Sequence, residues 1–197
     1  SLGVSVYGWK RGAYPNEGFS WFLRSKDDGR TWTEPVPIAD ADAAETAGKG
    51  QPELTETDLL SLGDGTVLAA SRTRSPEHIR LYRSEDDGRT WRDCGALTLP
   101  GQIPAHLLRL ADGAILMTYG MRNKGSYGVG ARVSRDGGLT WGPPQFLVDF
   151  EIAADGGYPS AVQLADGTIV LAYYANRVPC HHRYHMGVVR FRPEEVL

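Results

Sequence analysis

The chain has 197 residues, and its formal net charge at pH 7 is −3. That balance gives no basic footprint for nucleic acid or an anionic membrane, and no apolar run reaches the ~20 residues of a membrane span. Two cysteines do not make a disulfide scaffold. The 24 glycines predict many tight turns and therefore many short strands.

A short box of eight residues occurs three times along the chain. It reads SKDDGRTW from Ser25, SEDDGRTW from Ser84 and SRDGGLTW from Ser134, at spacings of 59 and 50 residues. Ser and Asp form local turns with the backbone, Gly adopts a positive φ without strain, and Trp contributes a large apolar area. The box therefore predicts a repeated turn between two strands.

A second repeat alternates with the box and predicts β-hairpins. Apolar runs flank an Asp-Gly pair in each copy, which is the pattern of two strands joined by a tight turn. The copies start at Leu54, Ile103 and Gly157, and their turns are Asp64-Gly65, Asp112-Gly113 and Asp166-Gly167.

Together, the two repeats predict four strands in about 50 residues. No helical periodicity persists over three turns. Four-stranded units at this period indicate the blades of a β-propeller rather than an immunoglobulin-like sandwich. We predict an all-β chain with a single domain over residues 1–197, containing three to four antiparallel blades.

The box carboxylates have two interpretations. Asp27, Asp86 and Asp136 resemble catalytic acids, but a catalytic acid is needed once at a shared centre, not once in every blade. We predict that they stabilise the turns.

The boxes resemble Asp-box (BNR) repeats, and the whole chain is similar to the sialidase or neuraminidase superfamily. The resemblance implies a propeller with six blades when complete, of which this chain would be a C-terminal portion. It also implies secretion, a periplasmic location or the cell surface; the sequence itself leaves the compartment open. Because Asp boxes occur in unrelated propellers, they identify the fold better than the activity.

Aligning the hairpins on their Asp-Gly turns isolates the candidate catalytic residues. Eight residues before each turn stand Glu56, Pro104 and Tyr158, and eight residues after the first turn stands Arg72. In sialidases, a Tyr nucleophile and its Glu partner occupy such positions, and an arginine that holds the substrate carboxylate follows the Glu hairpin. The resemblance implies these roles for Tyr158, Glu56 and Arg72.

The chemistry of sialic acid explains these residue types. Its carboxylate on the anomeric carbon would repel an anionic nucleophile, whereas a neutral Tyr activated by Glu avoids that repulsion. Arginine matches a carboxylate bidentately. Arg122 is a candidate for a second such arginine, and His106 is a candidate ligand contact. Each of these residues also has a plain structural interpretation at a strand end or a rim.

The segment CHHRYH holds Cys180, His181, His182 and His185. Four ligand-type residues suggest zinc, but the spacing does not fit a familiar closed site, and adjacent residues of a strand point to opposite faces. We predict a loop at the rim, with no metal and no cofactor.

Two departures from the sialidase pattern bear on activity. The motif of the first arginine and the loop of the general-acid Asp are not found; Asp155 lies near Tyr158 but does not match that place. The acidic residue that follows the Tyr hairpin in many sialidases is replaced by Tyr174. Incomplete propellers also expose strand edges, so self-association is an alternative to a longer chain.

Two functions follow from these features. The first is a sialidase-like exo-glycosidase that removes sialic acid or a related acidic sugar. The second is a non-catalytic carbohydrate-binding propeller, supported by the missing arginine and acid. A protein-interaction scaffold rests on fold analogy alone. The expected partner is a glycan, without nucleic acid or a membrane span.

Overall fold

A computed structural model describes residues 1–9, 18–38, 53–74, 76–151, 155–179 and 181–196. The described residues form antiparallel strands and one short helix, α1 (Pro193–Val196). None of their helices is long and apolar enough to cross a membrane. The chain divides into two compact units, residues 1–98 and 99–197, while the prediction of a single domain stays a prediction.

Unit 1 contains two sheets. The first has the order β1-β2-β3, and the second has the order β4-β5-β6-β7. Buried residues between the sheets include Phe22, Tyr82 and Trp91, and the rings of Phe22 and Trp91 meet edge to face at 5.6 Å. The strands are β1 (Leu2–Trp9), β2 (Gly18–Ser25), β3 (Val36–Pro37), β4 (Leu54–Gly63), β5 (Thr66–Thr73), β6 (Ile79–Ser84) and β7 (Arg92–Ala96).

Unit 2 also contains two sheets, of four and then three strands. Its sheets have the orders β8-β9-β10-β11 and β12-β13-β14. Leu116, Phe150 and Leu171 belong to the buried cluster of this unit. The strands are β8 (Gln102–Arg109), β9 (Ile115–Asn123), β10 (Ser126–Ser134), β11 (Gln145–Asp149), β12 (Gly156–Gln163), β13 (Ile169–Ala175) and β14 (His185–Phe191).

The three predicted hairpins are β4-β5, β8-β9 and β12-β13, and their turns are of two kinds. Asp64 and Gly65 both have positive φ values, of 46° and 88°, as a two-residue type I′ turn requires. In the other two hairpins, only the glycine of the pair (Gly113 or Gly167) has a positive φ, as in three-residue loops that end in a left-handed glycine. The Asp-Gly signal therefore predicts the hairpin but not the turn type.

The first strand of each of these three hairpins (β4, β8 and β12) carries a β-bulge at the equivalent place. The register of β4-β5 shifts between Leu54 and Thr57, that of β8-β9 between Gln102 and Ala105, and that of β12-β13 between Gly157 and Ser160. The three bulges contain Glu56, Pro104 and Tyr158. Bulges re-aim side chains and concentrate near functional sites.

The box carboxylates accept hydrogen bonds from residues of their own turns. Asp27 accepts hydrogen bonds from the Ser25 hydroxyl at 2.8 Å and from the Thr31 hydroxyl and amide at 2.6 and 2.9 Å. The other two boxes repeat this network. The Thr31 hydroxyl, together with the other donors, lowers the pKa of Asp27 to about 2. These bonds support the predicted structural role.

Candidate functional site

A charged cluster on β4 and β5 contains two of the predicted residues of unit 1. Arg72 Nη1 donates to Glu56 Oε1 at 3.1 Å, and Arg72 Nη2 donates to Glu77 Oε1 at 2.7 Å. The Thr55 hydroxyl donates to Glu56 Oε2 at 2.7 Å. The structure therefore brings Glu56 and Arg72 together and flanks the guanidinium with two carboxylates.

This cluster lines a small open cleft within unit 1. The cleft has a volume of about 110 Å³ and is lined by Tyr7, Trp9, Thr55, Glu56, Arg72, Arg74 and Glu77. Aromatic rings beside paired charges combine an apolar surface with hydrogen-bonding groups, as binding sites for small polar ligands do.

Tyr158 lies in the bulge at the start of β12 with an unusual backbone conformation. Its φ is +47°, in the left-handed region, and its side chain is 42% exposed. A non-glycine residue in this region is uncommon, and such strain concentrates at functional sites. The bulge and the strain together direct an exposed tyrosine away from the regular ladder of the strand.

Arg122, at the end of β9, lies beside Tyr158. Its Cζ is 6.0 Å from the centroid of the Tyr158 ring, within the range of a cation–π contact. Its Nη2 donates to the Tyr174 hydroxyl at 3.3 Å, and its buried Nε has no hydrogen-bond partner among the described residues. Arg122 and Tyr158 are therefore neighbours, and the Arg122 side chain remains 26% exposed.

Asp155 connects two more tyrosines to this group. Its Oδ1 accepts a hydrogen bond from the Tyr174 hydroxyl at 2.7 Å, and its Oδ2 accepts one from the Tyr184 hydroxyl at 2.5 Å. The same Oδ1 is 3.9 Å from Arg122 Nη2. Asp155 thus supplies a carboxylate next to the position where the sequence has Tyr174 in place of an acidic residue.

These bonds shift the protonation equilibria of the group. The hydrogen bonds from Tyr184 and then Tyr174 lower the pKa of Asp155 below its usual value. Burial, assisted by the bond to Asp155, raises the pKa of Tyr174 to about 12. The hydrogen bond to Asp155 also raises the pKa of Tyr184. At neutral pH, Asp155 is therefore an anion and the two tyrosines are neutral donors.

The remaining predictions concern His106 and the pairing of Glu56 with Tyr158. His106, on β8, has its Nε2 at 3.1 Å from the Ala161 carbonyl oxygen of β12, and its contact with a ligand stays a prediction. Glu56 belongs to unit 1 and Tyr158 to unit 2, and their pairing stays a prediction as well.

The histidine segment forms a local turn. His181 and His185 have ring centroids 4.6 Å apart, and the Nδ1 atoms of both lie near the Arg183 carbonyl oxygen, at 3.2 and 3.0 Å. In the part of the chain that the structure describes, no three His, Cys, Asp or Glu side chains are grouped to hold a metal ion. Cys180 lies outside the described residues.

Three contributing residues escaped the sequence analysis. Glu77 precedes β6, Asp155 does not match the place of the general acid in the chain, and Tyr184 lies among the histidines of the segment CHHRYH. The Asp155–Tyr184 contact joins residues 29 positions apart. Only the hairpin alignment could have drawn attention to this region, through Tyr174 at the position of Arg72.

Comparisons with known proteins agree with this architecture. A family described as "BNR repeat-like domain" matches residues 1–195. A comparison of the sequence with curated proteins finds no match.

Solved structures extend the comparison. A protein of unknown function from Dyadobacter fermentans is 28% identical, with a TM-score of 0.75 over 95% of this chain and 49% of that one. An α-L-arabinanase from Penicillium chrysogenum, complexed with arabinobiose, is 24% identical, with a TM-score of 0.59 over 87% and 54%. A sialidase from Trypanosoma rangeli, in complex with the inhibitor DANA, is 17% identical, with a TM-score of 0.58 over 90% and 28%.

The chain spans about half the length of the first of these structures and less of the sialidase. At such identities, the arabinanase and the sialidase show a shared fold. The predicted all-β architecture of propeller blades is confirmed, as is the resemblance to the sialidase-like superfamily.

Proposed function

Because the chain belongs to the BNR repeat-like domain family, we propose that it carries the site of an exo-glycosidase that removes a terminal acidic sugar such as sialic acid. The observation that supports this proposal most is the placement of Tyr158. It is an exposed tyrosine in a bulged, left-handed backbone segment with the Arg122 guanidinium against its ring.

The proposed reaction assigns one task to each group. Tyr158 Oη attacks the anomeric carbon while its proton passes to the Glu56 carboxylate, and the glycosidic C–O bond breaks. Water then attacks the anomeric carbon: its hydroxyl stays on the sugar, its proton passes to the group that protonated the leaving oxygen, and Glu56 returns the phenolic proton to Tyr158. The acid that protonates the leaving oxygen is not assigned to a residue of this chain.

The arginines have different surroundings in this proposal. Arg122 is partly exposed beside Tyr158, and its guanidinium is proposed to hold the carboxylate of the sugar. Arg72 is predicted to hold the same carboxylate, but its ion pairs with Glu56 and Glu77 equally suit it to orient the Glu56 base. His106 is proposed as a further ligand contact.

A fluorogenic α-sialoside tests the catalytic assignment on the full chain. We expect Tyr158→Phe to lower kcat about 10³-fold or more, because the nucleophile is removed, and Glu56→Gln to lower it about 10²–10⁴-fold. Tyr127→Phe, on β10, is the matched control and should retain the activity. Unchanged turnover by Tyr158→Phe would rule out the nucleophile role.

The second candidate function is non-catalytic carbohydrate binding. It is favoured by the three tyrosine rings at this end of unit 2, Tyr158, Tyr174 and Tyr184, which offer stacking surfaces without any need for turnover. Binding of DANA without hydrolysis of any glycoside would support this function over the first. An aryl α-L-arabinofuranoside should accompany the sialoside, because structures with this fold include an arabinanase.

A further inference from the structure

The tyrosine row, defined as Tyr158, Tyr174 and Tyr184, extends from the proposed nucleophile along the surface of unit 2. The centroid distance from Tyr158 to Tyr174 is 5.7 Å, that from Tyr174 to Tyr184 is 6.0 Å, and the interplanar angle is 42° in both pairs. No role in the proposed reaction uses the two rings beyond Tyr158. The row is therefore larger than the reaction requires.

The row is accessible as well as aromatic. Tyr184 is 65% exposed and Tyr158 is 42% exposed. A ligand could thus reach aromatic surface at more than one point of the row.

Asp155 holds two members of the row in place. Each of its carboxylate oxygens accepts a hydrogen bond from a tyrosine hydroxyl: Oδ1 from Tyr174 at 2.7 Å and Oδ2 from Tyr184 at 2.5 Å. An exposed tyrosine ordinarily samples several rotamers, and ordering it on binding costs free energy. A ring that is already fixed by a charged acceptor avoids most of this cost, which suits a preformed stacking surface.

Charges of both signs surround the row, with a carboxylate bonded directly to two of its hydroxyls. Among the described residues, Arg122 Nη2 is 3.9 Å from Asp155 Oδ1, and the Arg177 charge and the Asn176 side chain act on the Tyr184 hydroxyl. Asp155 would repel an anion at Tyr174 or Tyr184. Apolar ring faces edged by hydroxyl, carboxylate and guanidinium groups match a sugar, which presents an apolar face and a hydroxyl-rich edge.

We propose that Tyr174 and Tyr184 form a binding subsite for a neutral sugar ring, adjacent to the acidic sugar cleaved at Tyr158. The subsite would accommodate the leaving portion of an oligosaccharide. This inference rests on the proposed function for the identity of the neighbouring sugar, but not for the stacking itself.

Two substrates that differ only in the leaving group test the subsite. In 3′-sialyllactose the leaving group is a neutral disaccharide, whereas in methyl sialoside it is too small to reach Tyr184. Tyr184→Ala should lower kcat/KM for sialyllactose about tenfold, the effect of one lost aromatic contact, and leave methyl sialoside unchanged. Tyr184→Phe keeps the ring but not its bond to Asp155, so its loss should be smaller.

The matched control is Phe146→Ala on β11, which removes an exposed aromatic ring (44%) outside the row; it should alter neither substrate. Circular dichroism melts identify a variant that fails to fold, and Tyr184→Phe then carries the test. Equal losses of kcat/KM for both substrates, or no loss with sialyllactose, would overturn the subsite.

Binding of lactose, followed by saturation-transfer NMR, separates this inference from the proposed function. If the wild-type chain hydrolyses neither sialoside but binds lactose, and Tyr184→Ala abolishes that binding, the subsite stands although the proposed reaction fails. If lactose does not bind while a tyrosine-rich peptide does, the row is a protein-docking surface and the inference is overturned.

Discussion

The hairpins β4-β5 and β12-β13 place opposite chemistries on the same scaffold. Eight residues before the Asp of each turn stand Glu56 and Tyr158, both in β-bulges, and eight residues after it stand Arg72 and Tyr174. In the first hairpin, the two positions form an ion pair at 3.1 Å. In the second, they form a ring pair at 5.7 Å.

The difference shows how a repeated fold diversifies. The bulge and the strand register bring the same two positions together in both hairpins, whichever residues occupy them. In each case a carboxylate from outside the hairpin completes the group: Glu77 contacts Arg72, and Asp155 contacts Tyr174. The repeat therefore determines which positions meet, and the residue types determine the chemistry.

The middle hairpin, β8-β9, provides the strongest test of the shared scaffold. Its positions hold Pro104 and Gly120, and a Cβ on Gly120 would lie 2.6 Å from the Ile103 carbonyl oxygen and 3.1 Å from Gly157 Cα. We expect Gly120→Ala to lower the free energy of unfolding by about 1–3 kcal/mol, because backbone atoms must move to relieve the clash. Urea denaturation measures the change.

The matched control is Gly8→Ala on β1, where the nearest atom to a new Cβ is 3.9 Å away. This substitution should be neutral or slightly stabilising. If both substitutions cost the same free energy, the close approach at Gly120 is not the cause.

Salt dependence should distinguish the charged hairpin from the aromatic one. Arg72→Met leaves Glu56 and Glu77 without their shared guanidinium, and we expect a loss of about 1 kcal/mol in low salt, because this ion pair is only partly buried. This loss of free energy should be smaller in 1 M NaCl, because salt screens the repulsion between the two carboxylates that remain in the variant. Paired urea titrations at the two salt concentrations measure it.

Arg135→Met breaks a more exposed ion pair with Asp112 and serves as the control. It should have almost no effect at either salt concentration. A loss for Arg72→Met that is independent of salt would indicate packing of its alkyl chain instead of charge.

The smallest expected effect is the pH dependence of the aromatic group. The hydrogen bonds from Tyr184 and Tyr174 lower the pKa of Asp155 below 3.8, so they stabilise the folded chain fully above that pH and less as the pH falls through the lowered value. The stability difference between the wild type and Asp155→Asn should therefore be largest near pH 7 and shrink below pH 4.

Urea midpoints at pH 7, 4 and 3 check this trend. Tyr184→Phe, which removes one of the two donors, should follow the same direction with a smaller difference. A difference that persists unchanged at pH 3 would show that the ionised carboxylate of Asp155 is not responsible.

The repeats made much of the architecture predictable. The Asp-Gly pairs located three hairpins, and the boxes located the turn before the last strand in each of three sheets. Both signals are local, because they depend on residues with special backbone preferences within a few positions of one another. Alignment on the Asp-Gly turns also identified Glu56 and Tyr158 as equivalent positions and Arg72 as the position that faces Glu56.

The burial of the box tryptophans was less predictable. Trp91 is 2% exposed against Phe22, whereas Trp32 is 42% exposed at the equivalent place of its own box. The box motif is the same in both segments, so the difference arises from the neighbouring sheet and not from the motif. Burial is a property of what packs against a residue, which a local pattern does not contain.

The sequence by itself determined the strands, their turns and the positions that recur in every repeat, because backbone preferences and side-chain alternation act over a few residues. Tertiary structure alone decided that Tyr158 adopts a left-handed conformation in a bulge, that Glu77 shares Arg72 with Glu56, and that Asp155 joins Tyr174 to Tyr184. These contacts depend on which loops meet at the end of a sheet, and a loop's path is set by packing between distant residues.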